Sequence, residues 1–247
     1  MKNIIVIQAR TGSERFPNKI FKTIGNFTIL DQIIKITKTI DNVQDIFIAT
    51  TTLEEDNLIE NLCNDNNINC FRGDVENVYS RYSTIAKEYT NINDNTVRLT
   101  ADNPLINKNI IESVLNNHIE NKNFYTSNIL HRTWPRGLDV EVVKNEYFFN
   151  DYFKSMNKDD LEHVTLYIRK NLRSFKNQNV ESSNEEFMPD LRLCIDYEED
   201  FIFIKQIVDK LGIDSSIKNI INYLKENPKL LKINTDKSQT KIEGSNW

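Results

Sequence analysis

Short apolar runs alternate with segments of helical periodicity along the first half of the chain, and this alternation constrains the fold most strongly. Residues 4–7 and 46–50 are almost entirely apolar, which is typical of buried strands. Between them, apolar residues recur at helical spacing over residues 29–40, which predicts an amphipathic helix. Such alternation favours an α/β protein with a mostly parallel central sheet flanked by helices. The pattern continues with predicted helices over residues 56–66, 75–88 and 110–119 and predicted strands over residues 69–71 and 96–100.

The pattern changes at residue 124, where the helices and strands become less regular. The remaining predicted strands span residues 125–128, 138–143 and 191–195. The remaining predicted helices span residues 147–156, 160–172, 198–211 and 217–224. Residues 235–247 are polar and lack periodicity, which predicts a disordered tail. Length alone allows one large domain or two small ones.

Charge and composition exclude several classes of protein. The formal net charge is −5 at pH 7, whereas general nucleic-acid or membrane-surface binders need an excess of basic residues. The three cysteines and three histidines lack the spacing of a metal site, so we expect free thiols in a reducing compartment. No apolar run reaches the roughly 18 residues that span a bilayer. We therefore expect a cytoplasmic protein without nucleic-acid or membrane partners.

A basic loop follows the first predicted strand. It reads Gln8-Ala9-Arg10-Thr11-Gly12-Ser13-Glu14-Arg15-Phe16-Pro17-Asn18-Lys19. Its cations, Arg10, Arg15 and Lys19, suit a polyphosphate, and the small residues between them let backbone N–H groups approach a ligand closely. The spacing fits neither the Walker A pattern nor the dinucleotide fingerprint. From the residues alone, phosphate binding and an ordinary basic surface loop are equally good interpretations.

Two aspartates follow predicted strands. Asp102 precedes Asn103-Pro104 at the carboxyl end of a strand, where ligands gather in open α/β sheets. It is equally consistent with a divalent-cation ligand and with a turn-forming or capping residue. Asp196 follows the last predicted strand and precedes an acidic helix start, so its position is that of an N-cap of the next helix. The acidic residues Glu199 and Asp200 are interpreted as part of a solvated helix face.

Several charged residues in the second half are candidates for binding an acceptor substrate. Asp139 and Glu141 alternate with apolar residues, so they share one strand face, either in a pocket wall or on a half-exposed strand. Arg136, in a Pro-Arg-Gly loop, favours the pocket. Glu162 and His163 open a predicted helical stretch. His163 is consistent with a substrate contact, a base or an ordinary surface residue.

Further candidates for nucleotide binding lie between residues 49 and 82. Arg72 and Arg81 flank a predicted helix start, and Arg81 is placed to reach phosphate or ribose unless it pairs with a nearby carboxylate. Thr50 and Thr51 follow the second predicted strand, where hydroxyl and backbone groups could contact a base. Three consecutive threonines are also typical of an ordinary loop.

Six ordered blocks resemble the cytidylyltransferases of the spore-coat polysaccharide (SpsF-like) family, which are related to the synthetases of CMP-Kdo and CMP-sialic acid. The resemblance covers roughly residues 3–234, nearly the whole chain. The blocks are Q-A-R-x-G-S-x-R-x-P-x-K at 8–19, F-R-G-D-V-E-N-V at 71–78 followed by Arg81-Tyr82, R-L-T-A-D-N-P-L-I at 98–106, P-R-G-L-D-V-E-V at 135–142, E-H-V-T at 162–165 and L-C-I-D-Y-E-E-D-F at 193–201.

The resemblance implies a fold and an activity. The fold is a single Rossmann-like (GT-A-like) nucleotidyltransferase domain over residues 1–234, with an acceptor and dimerisation part at about 124–190. The activity is transfer of CMP from CTP to a phosphorylated or acidic sugar or polyol, with release of pyrophosphate, for surface glycan synthesis. Base identity rests on the resemblance and not on residue chemistry. A uridylyl- or guanylyltransferase, a glycosyltransferase and a non-catalytic nucleotide-binding protein remain alternatives, although the chain has no Asp-x-Asp motif.

The resemblance also implies residue roles. Mg²⁺ would be bound by Asp102 and by Asp196, although Tyr197 and Glu198 replace the usual Thr and Pro of that block. Catalysis would rest on Lys19, Arg10 and Asp102. The nucleotide would contact Gln8, Ala9, Arg10, Thr11, Gly12, Ser13, Arg15, Lys19, Thr50, Thr51, Arg72, Arg81 and Asp102. The acceptor would contact Arg136, Asp139, Glu141, Glu162 and His163.

Related synthetases are often dimers, so we expect a homodimer. The aromatic residues that could form its interface are Tyr147, Phe148, Phe149, Tyr152 and Phe153, and the same residues could equally form core.

Overall fold

The computed structural model describes residues 1–237, and most of the predicted tail, residues 238–247, lies outside the described residues. Within the described part the strands are β1 (Asn3–Gln8), β2 (Thr23–Ile24), β3 (Phe27–Thr28), β4 (Asp45–Thr51), β5 (Asn69–Gly73), β6 (Asn95–Thr100), β7 (Tyr125–Ser127), β8 (Glu141–Lys144) and β9 (Asn177–Asn179). The α-helices are α1 (Ile29–Thr37), α2 (Asn57–Asp65), α3 (Val78–Tyr89), α4 (Lys108–Asn121), α5 (Glu146–Phe149), α6 (Lys158–Glu162), α7 (Leu166–Lys170), α8 (Glu198–Leu211) and α9 (Ile217–Glu226).

Seven of the strands form one sheet in the order β5-β4-β1-β6-β8-β7-β9. The pairs β4–β5, β1–β4, β1–β6 and β7–β9 are parallel, and β8 runs antiparallel to both of its neighbours. The strands β2 and β3 form a separate antiparallel hairpin. The predicted α/β class with a mostly parallel sheet is therefore confirmed.

Helices cover both faces of the sheet, which explains why β1 is apolar at consecutive positions. Ile5 and Ile7 pack into a core with α1, α4, α8 and α9, while Ile4 and Val6 pack into a second core with α3, α5 and α7. All four side chains are fully buried. Each contributes about 1.5–3 kcal/mol relative to exposure. The rigid centre that results holds the carboxyl ends of β1, β4 and β6 in fixed positions.

The strand predicted over residues 138–143 begins later, at Glu141. The side chain of Asn128 accepts a hydrogen bond from the Val140 N–H and donates one to the Leu138 carbonyl. These two bonds replace the backbone hydrogen bonds that a neighbouring strand would make, so the chain before Glu141 does not need to pair as a strand.

The two helices predicted over residues 147–156 and 160–172 are both interrupted. The first becomes α5 followed by a 3₁₀ turn, Asp151–Ser155. The second divides into α6 and α7 around Val164, whose φ of 50° is incompatible with a continuous helix. Among the aromatics considered for an interface, Tyr147 and Phe148 are fully buried within the chain, so these two belong to the core.

The segment 191–195 is not a strand. It makes one isolated bridge, between Arg136 and Arg192, and its Ile195 N–H donates to the Asp102 carbonyl at 2.9 Å. This last bond brings the two predicted metal-binding aspartates to the same place. Strand β9, in contrast, was not predicted, because its Asn-Gln-Asn sequence carries no apolar alternation.

Within residues 1–237 no helix is long and apolar enough to cross a membrane.

Candidate functional site

A cavity of about 710 Å³ opens at the carboxyl ends of β1 and β6. It contains predicted residues from five of the six sequence blocks. The predicted residues that line it are Gln8, Ala9, Arg10, Gly12, Ser13, Arg15, Lys19, Arg81, Asp102, Glu162, His163 and Asp196. Ligands gather at this edge of open α/β sheets, because the strand ends leave loops and backbone groups free there.

The basic loop is fixed to the end of β4 by one buried carboxylate, Asp56. Its Oδ1 accepts hydrogen bonds from the backbone and hydroxyl of Thr11, and its Oδ2 accepts from the backbone N–H and hydroxyl of Thr51. Burial opposes ionisation, but these hydrogen bonds outweigh it and hold the pKa of Asp56 below its ordinary value. Thr11, predicted to bind nucleotide, therefore faces Asp56 and does not line this cavity.

Lys19 lies between two carboxylates. Its Nζ is 2.9 Å from Asp196 Oδ1 and 3.3 Å from Asp102 Oδ2, and it donates to the Ile195 carbonyl at 2.5 Å. Burial disfavours the ammonium, but Asp102 and Asp196 outweigh this and raise the pKa of Lys19. Lys19 therefore stays charged at neutral pH.

Asp196 is ionised and held in place from two sides. Burial opposes its charge, but Lys19 and then Arg192 outweigh that effect and lower its pKa. Arg192 donates to Asp196 at 2.7 Å and to Asp200 at 2.8 Å. Asp200 accepts from the backbone N–H groups of Asp196 and Tyr197 at the start of α8. The interpretation of Asp200 as solvated helix surface is wrong, since it is fully buried.

Because Asp200 satisfies these backbone groups, the carboxylate of Asp196 is available to a cation. Asp102 and Asp196 converge on one point, the ammonium of Lys19, at the wall of the cavity. Mg²⁺ in phosphate-transfer sites is commonly bound by one or two carboxylates together with substrate phosphates and water. The donor set therefore fits Mg²⁺ bound with a nucleotide. No cluster of three or more His, Cys, Asp or Glu side chains that could hold a metal ion occurs within residues 1–237.

Arg81 is a buried cation on the cavity wall, about 3% exposed. Its guanidinium is short of acceptors: Nη1 donates to the Ala49 carbonyl, and Nε has no hydrogen-bond partner among residues 1–237. The nearby carboxylates are used elsewhere, Asp74 in its own turn and Glu76 with Lys158. Burial lowers the pKa of Arg81 from its usual value. A buried guanidinium of this kind is well suited to a ligand anion.

Another part of the cavity wall comes from α6 and the residue that follows it, with Lys158, Glu162 and His163. Glu76, in the turn before α3, also lines the cavity. The sequence singled out neither Lys158 nor Glu76. Burial lowers the pKa of His163 below its usual value, and Arg98 adds to this effect. The imidazole is therefore neutral at pH 7 and can accept or donate a hydrogen bond. Glu14 also lines the cavity and was not predicted, because its charge resembles that of any surface residue.

Besides Thr11, three predicted nucleotide contacts lie outside this cavity lining. Thr50 and Thr51 are fully buried at the end of β4, where Thr51 bonds to Asp56. Arg72 donates to Glu60 at 2.8 Å and to the Thr51 carbonyl at 3.0 Å, and so ties α2 to β4. These side chains support the sheet edge beneath the cavity.

Two predicted acceptor contacts also lie elsewhere. Arg136 forms backbone hydrogen bonds with Leu191 and Leu193, next to the segment that carries Asp196. Asp139 accepts two hydrogen bonds from Arg132, at 2.8 and 3.1 Å. Neither residue lines this cavity.

Glu141, the third such residue, does not share an exposed strand face with Asp139. It is about 1% exposed and forms an ion pair with its cross-strand neighbour Arg98. Burial opposes its ionisation, but Arg98 outweighs this and holds the pKa of Glu141 below its ordinary value. The expectation of direct substrate contact is corrected, because every approach to this carboxylate is filled by protein.

Comparison with known proteins agrees with this architecture. Residues 4–236 match the family described as Cytidylyltransferase. The spore coat polysaccharide biosynthesis protein SpsF of Bacillus subtilis is 30% identical over 232 residues, covering 91% of this chain and 95% of that protein. A cytidylyltransferase from Leptospira borgpetersenii has a TM-score of 0.85 and 29% identity, covering 98% and 100% of the two chains. A CMP-2-keto-3-deoxy-manno-octonic acid synthetase complexed with CTP shares the fold, with a TM-score of 0.62, 13% identity and coverage of 85% and 99%. The chain therefore belongs to the cytidylyltransferase family, as its sequence blocks indicate, and is a CTP-dependent nucleotidyltransferase.

Proposed function

We propose that the protein transfers CMP from CTP to a small anionic acceptor, namely a sugar or polyol phosphate or a sugar acid, for surface glycan synthesis. The observation that carries this proposal is a cavity lined together by Lys19, Asp102, Asp196, the basic loop and α6. The name of the Bacillus relative supports a role in polysaccharide synthesis.

In the proposed reaction an oxygen of the acceptor forms a bond to the α-phosphorus of CTP. The bond from that phosphorus to the bridging oxygen breaks, and pyrophosphate leaves with the electron pair. Arg10, Arg15 and Lys19 hold the phosphates and offset their charge, which together with in-line positioning supplies most of the rate in such transfers. We assign Lys19, which is buried and charged, to the developing negative charge.

Asp102 and Asp196 are proposed to hold Mg²⁺, which would offset phosphate charge and orient the triphosphate. In this assignment the two carboxylates exchange the Lys19 ammonium for the metal. Lys19 is then free to contact a phosphate oxygen. Arg192 and Asp200 keep Asp196 oriented throughout.

The α6 wall is proposed to bind the acceptor. It combines a cation, Lys158, with an acidic residue, Glu162, and a neutral imidazole, His163. A phosphate-bearing acceptor is already ionised and needs no strong base. A sugar hydroxyl would need its proton accepted, and neutral His163 is the candidate.

The test is release of pyrophosphate from CTP with Mg²⁺ and a panel of sugar phosphates, polyol phosphates and sugar acids. We expect turnover with at least one anionic acceptor and none with neutral sugars. The Asp102→Asn variant should lose at least about 100-fold in turnover with its fold intact. The control variant is Asp209→Asn, which changes an exposed carboxylate on α8. Near-normal turnover in Asp102→Asn would refute the assignment of Asp102 as a metal ligand. Faster turnover with UTP or GTP than with CTP would refute the proposed specificity for cytosine.

We also propose that the enzyme acts in the cytoplasm as a homodimer. Sedimentation velocity on the full chain distinguishes a dimer of two 29.0 kDa subunits from a monomer.

A further inference from the structure

Glu141 is a buried carboxylate with three side-chain donors. Arg98 and Tyr125 donate to it from the neighbouring strands β6 and β7, and Thr165 donates to Oε2 at 2.5 Å from the start of α7. A buried ion pair of this kind seldom adds stability beyond what apolar residues of similar volume would give. Its presence in the middle of the sheet therefore calls for another explanation.

Two of the three donors connect Glu141 to the cavity. Arg98 also donates to the side-chain oxygen of Gln8 at 3.0 Å, and Gln8 lines the cavity at the end of β1. Thr165 lies two residues after His163, which lines the cavity directly after α6. The third donor, Tyr125, is fully buried and does not line the cavity.

The turn that carries His163 depends on contacts from outside it. Val164 has a φ of 50°, in the left-handed region that a β-branched residue adopts only when its surroundings hold it there. The Tyr147 hydroxyl donates to the Val164 carbonyl at 2.8 Å, and Thr165 is fixed to Glu141. Without these contacts the turn would relax toward a helical or extended conformation.

We propose that Glu141 is a positioning residue that sets both walls of the cavity, Gln8 through Arg98 and the His163 turn through Thr165. The proposal rests on the proposed function in one respect, that Gln8 contacts the nucleotide and the His163 wall contacts the acceptor. It explains why a carboxylate predicted to touch substrate lies buried one layer behind the cavity.

The titration of His163 reports on the position of the turn. The charged groups that act on the imidazole are Arg98 on β6, Arg169 on α7, and Glu162 and Asp159 on α6. Burial lowers its pKa first, the two arginines lower it further, and the two carboxylates raise it. A turn released from Glu141 would expose the ring to water and move it away from both arginines, so the pKa would rise toward its ordinary value.

The experiment compares Thr165→Val with Tyr125→Phe in the full chain without substrate. Both remove one donor from Glu141, but only the first cuts the link to the cavity wall. Imidazole NMR resolves the three histidines of the chain, and His163→Gln assigns the relevant resonance. We expect the titration midpoint of His163 to rise in Thr165→Val, to stay at the wild-type value in Tyr125→Phe, and to be restored in Thr165→Ser. An unchanged midpoint in Thr165→Val, or an equal rise in Tyr125→Phe, would overturn the proposal.

The Gln8 branch is tested by the affinity for CTP with Mg²⁺, measured by calorimetry. Glu141→Gln keeps the volume but removes the charge that holds Arg98, so we expect CTP binding to weaken about tenfold. Tyr125→Phe should bind CTP as the wild type does. Unchanged binding in Glu141→Gln would refute this branch. If no acceptor supports release of pyrophosphate, the proposed function fails. The titration midpoint of His163 and the affinity for CTP can still be measured in that case, so failure of the proposed function is distinguishable from failure of this inference.

Discussion

The ammonium of Lys19 lies 2.9 Å from a carboxylate oxygen of Asp196, in an ion pair whose side chains are only 11% and 13% exposed. Asp102 approaches the same nitrogen at 3.3 Å. A cation of the protein thus lies between the two carboxylates that we propose for Mg²⁺. An ammonium and a divalent ion cannot occupy one position, so binding of the proposed Mg²⁺ at this position would require Lys19 to move.

Lys19→Met should therefore tighten the binding of a divalent ion when nucleotide is absent. Removing the ammonium leaves Asp102 without its cation, while Asp196 keeps Arg192 and Arg15. Because the site loses one positive charge, we expect an increase of about tenfold in affinity for Mn²⁺. The electron paramagnetic resonance signal of free Mn²⁺ measures this. The control is Lys87→Met, which removes an exposed charge on α3. Equal or weaker binding in Lys19→Met would mean that the carboxylates do not form the metal site.

Gly137 allows the segment before Asp196 to pass close to the Pro-Arg-Gly loop. Its φ is 92°, and a Cβ built there lies 2.4 Å from the backbone nitrogen of Cys194. Gly137→Ala should destabilise the fold by at least about 2 kcal/mol more than Gly212→Ala. Gly212 also has a positive φ, of 84°, but no atom lies within 4 Å of its Cβ position. Urea denaturation compares the two variants, and similar losses would show that the close approach is unimportant.

The sequence predicts the elements whose signals are local. The helix over residues 198–211 matches α8 residue for residue, because an apolar stripe continues without interruption and Gly212 ends it. The grouping of the three basic side chains of the loop is also predictable from local sequence. Arg10, Arg15 and Lys19 all reach the cavity because they lie together on one short loop after β1.

The roles of Glu141 and Asp200 could not be predicted, because burial of a carboxylate depends on distant partners. Polar and apolar residues alternate around Glu141. The same pattern occurs in a half-exposed strand and in a strand whose polar face is buried against Arg98 of β6, so the sequence does not distinguish the two. Asp200 lies in an acidic helix start, which is typical of an exposed helix face. Only the folded structure brings Arg192 to within 2.8 Å of its carboxylate. The break at Val164 has no local signal either, since tertiary contacts from Glu141 and Tyr147 maintain it.

Asp56→Asn should loosen the basic loop. An amide has one acceptor oxygen where the carboxylate has two, so a donor of Thr11 or Thr51 loses its partner in a fully buried place. We expect a loss of about 2–3 kcal/mol in the free energy of unfolding and a higher KM for CTP. The control is Asp31→Asn, whose carboxylate lies near the surface at the start of α1.

The same carboxylate gives the wild type a pH dependence. The pKa of Asp56 is depressed in the folded state, so its contribution is present above its ordinary value of 3.8 and is lost as the pH falls below that value. The difference in unfolding free energy between wild type and Asp56→Asn should therefore shrink below about pH 4. A difference that stays constant down to pH 2 would contradict the assignment.

His118 should produce a second pH dependence at higher pH. The ring is buried between Thr126 and Asn95, at 3.2 and 3.0 Å, and burial lowers its pKa from 6.5 to about 4. The unfolded chain binds a proton at this residue below pH 6.5, while the folded chain does so only near pH 4. The contribution of neutral His118 is therefore complete above pH 6.5 and decreases as the pH falls toward 4, by up to about 1.4 kcal/mol per pH unit.

His118→Gln removes this titration, so the stability difference between wild type and variant should shrink between pH 6.5 and pH 4. At neutral pH we expect the variant to be less stable by about 2 kcal/mol, because glutamine cannot satisfy both partners in the same geometry. Denaturant unfolding at a series of pH values measures the difference. His131→Gln, which changes an exposed ring, is the control for replacing a histidine. A difference for His118→Gln that stays constant from pH 6.5 to pH 4 would contradict the lowered pKa of His118.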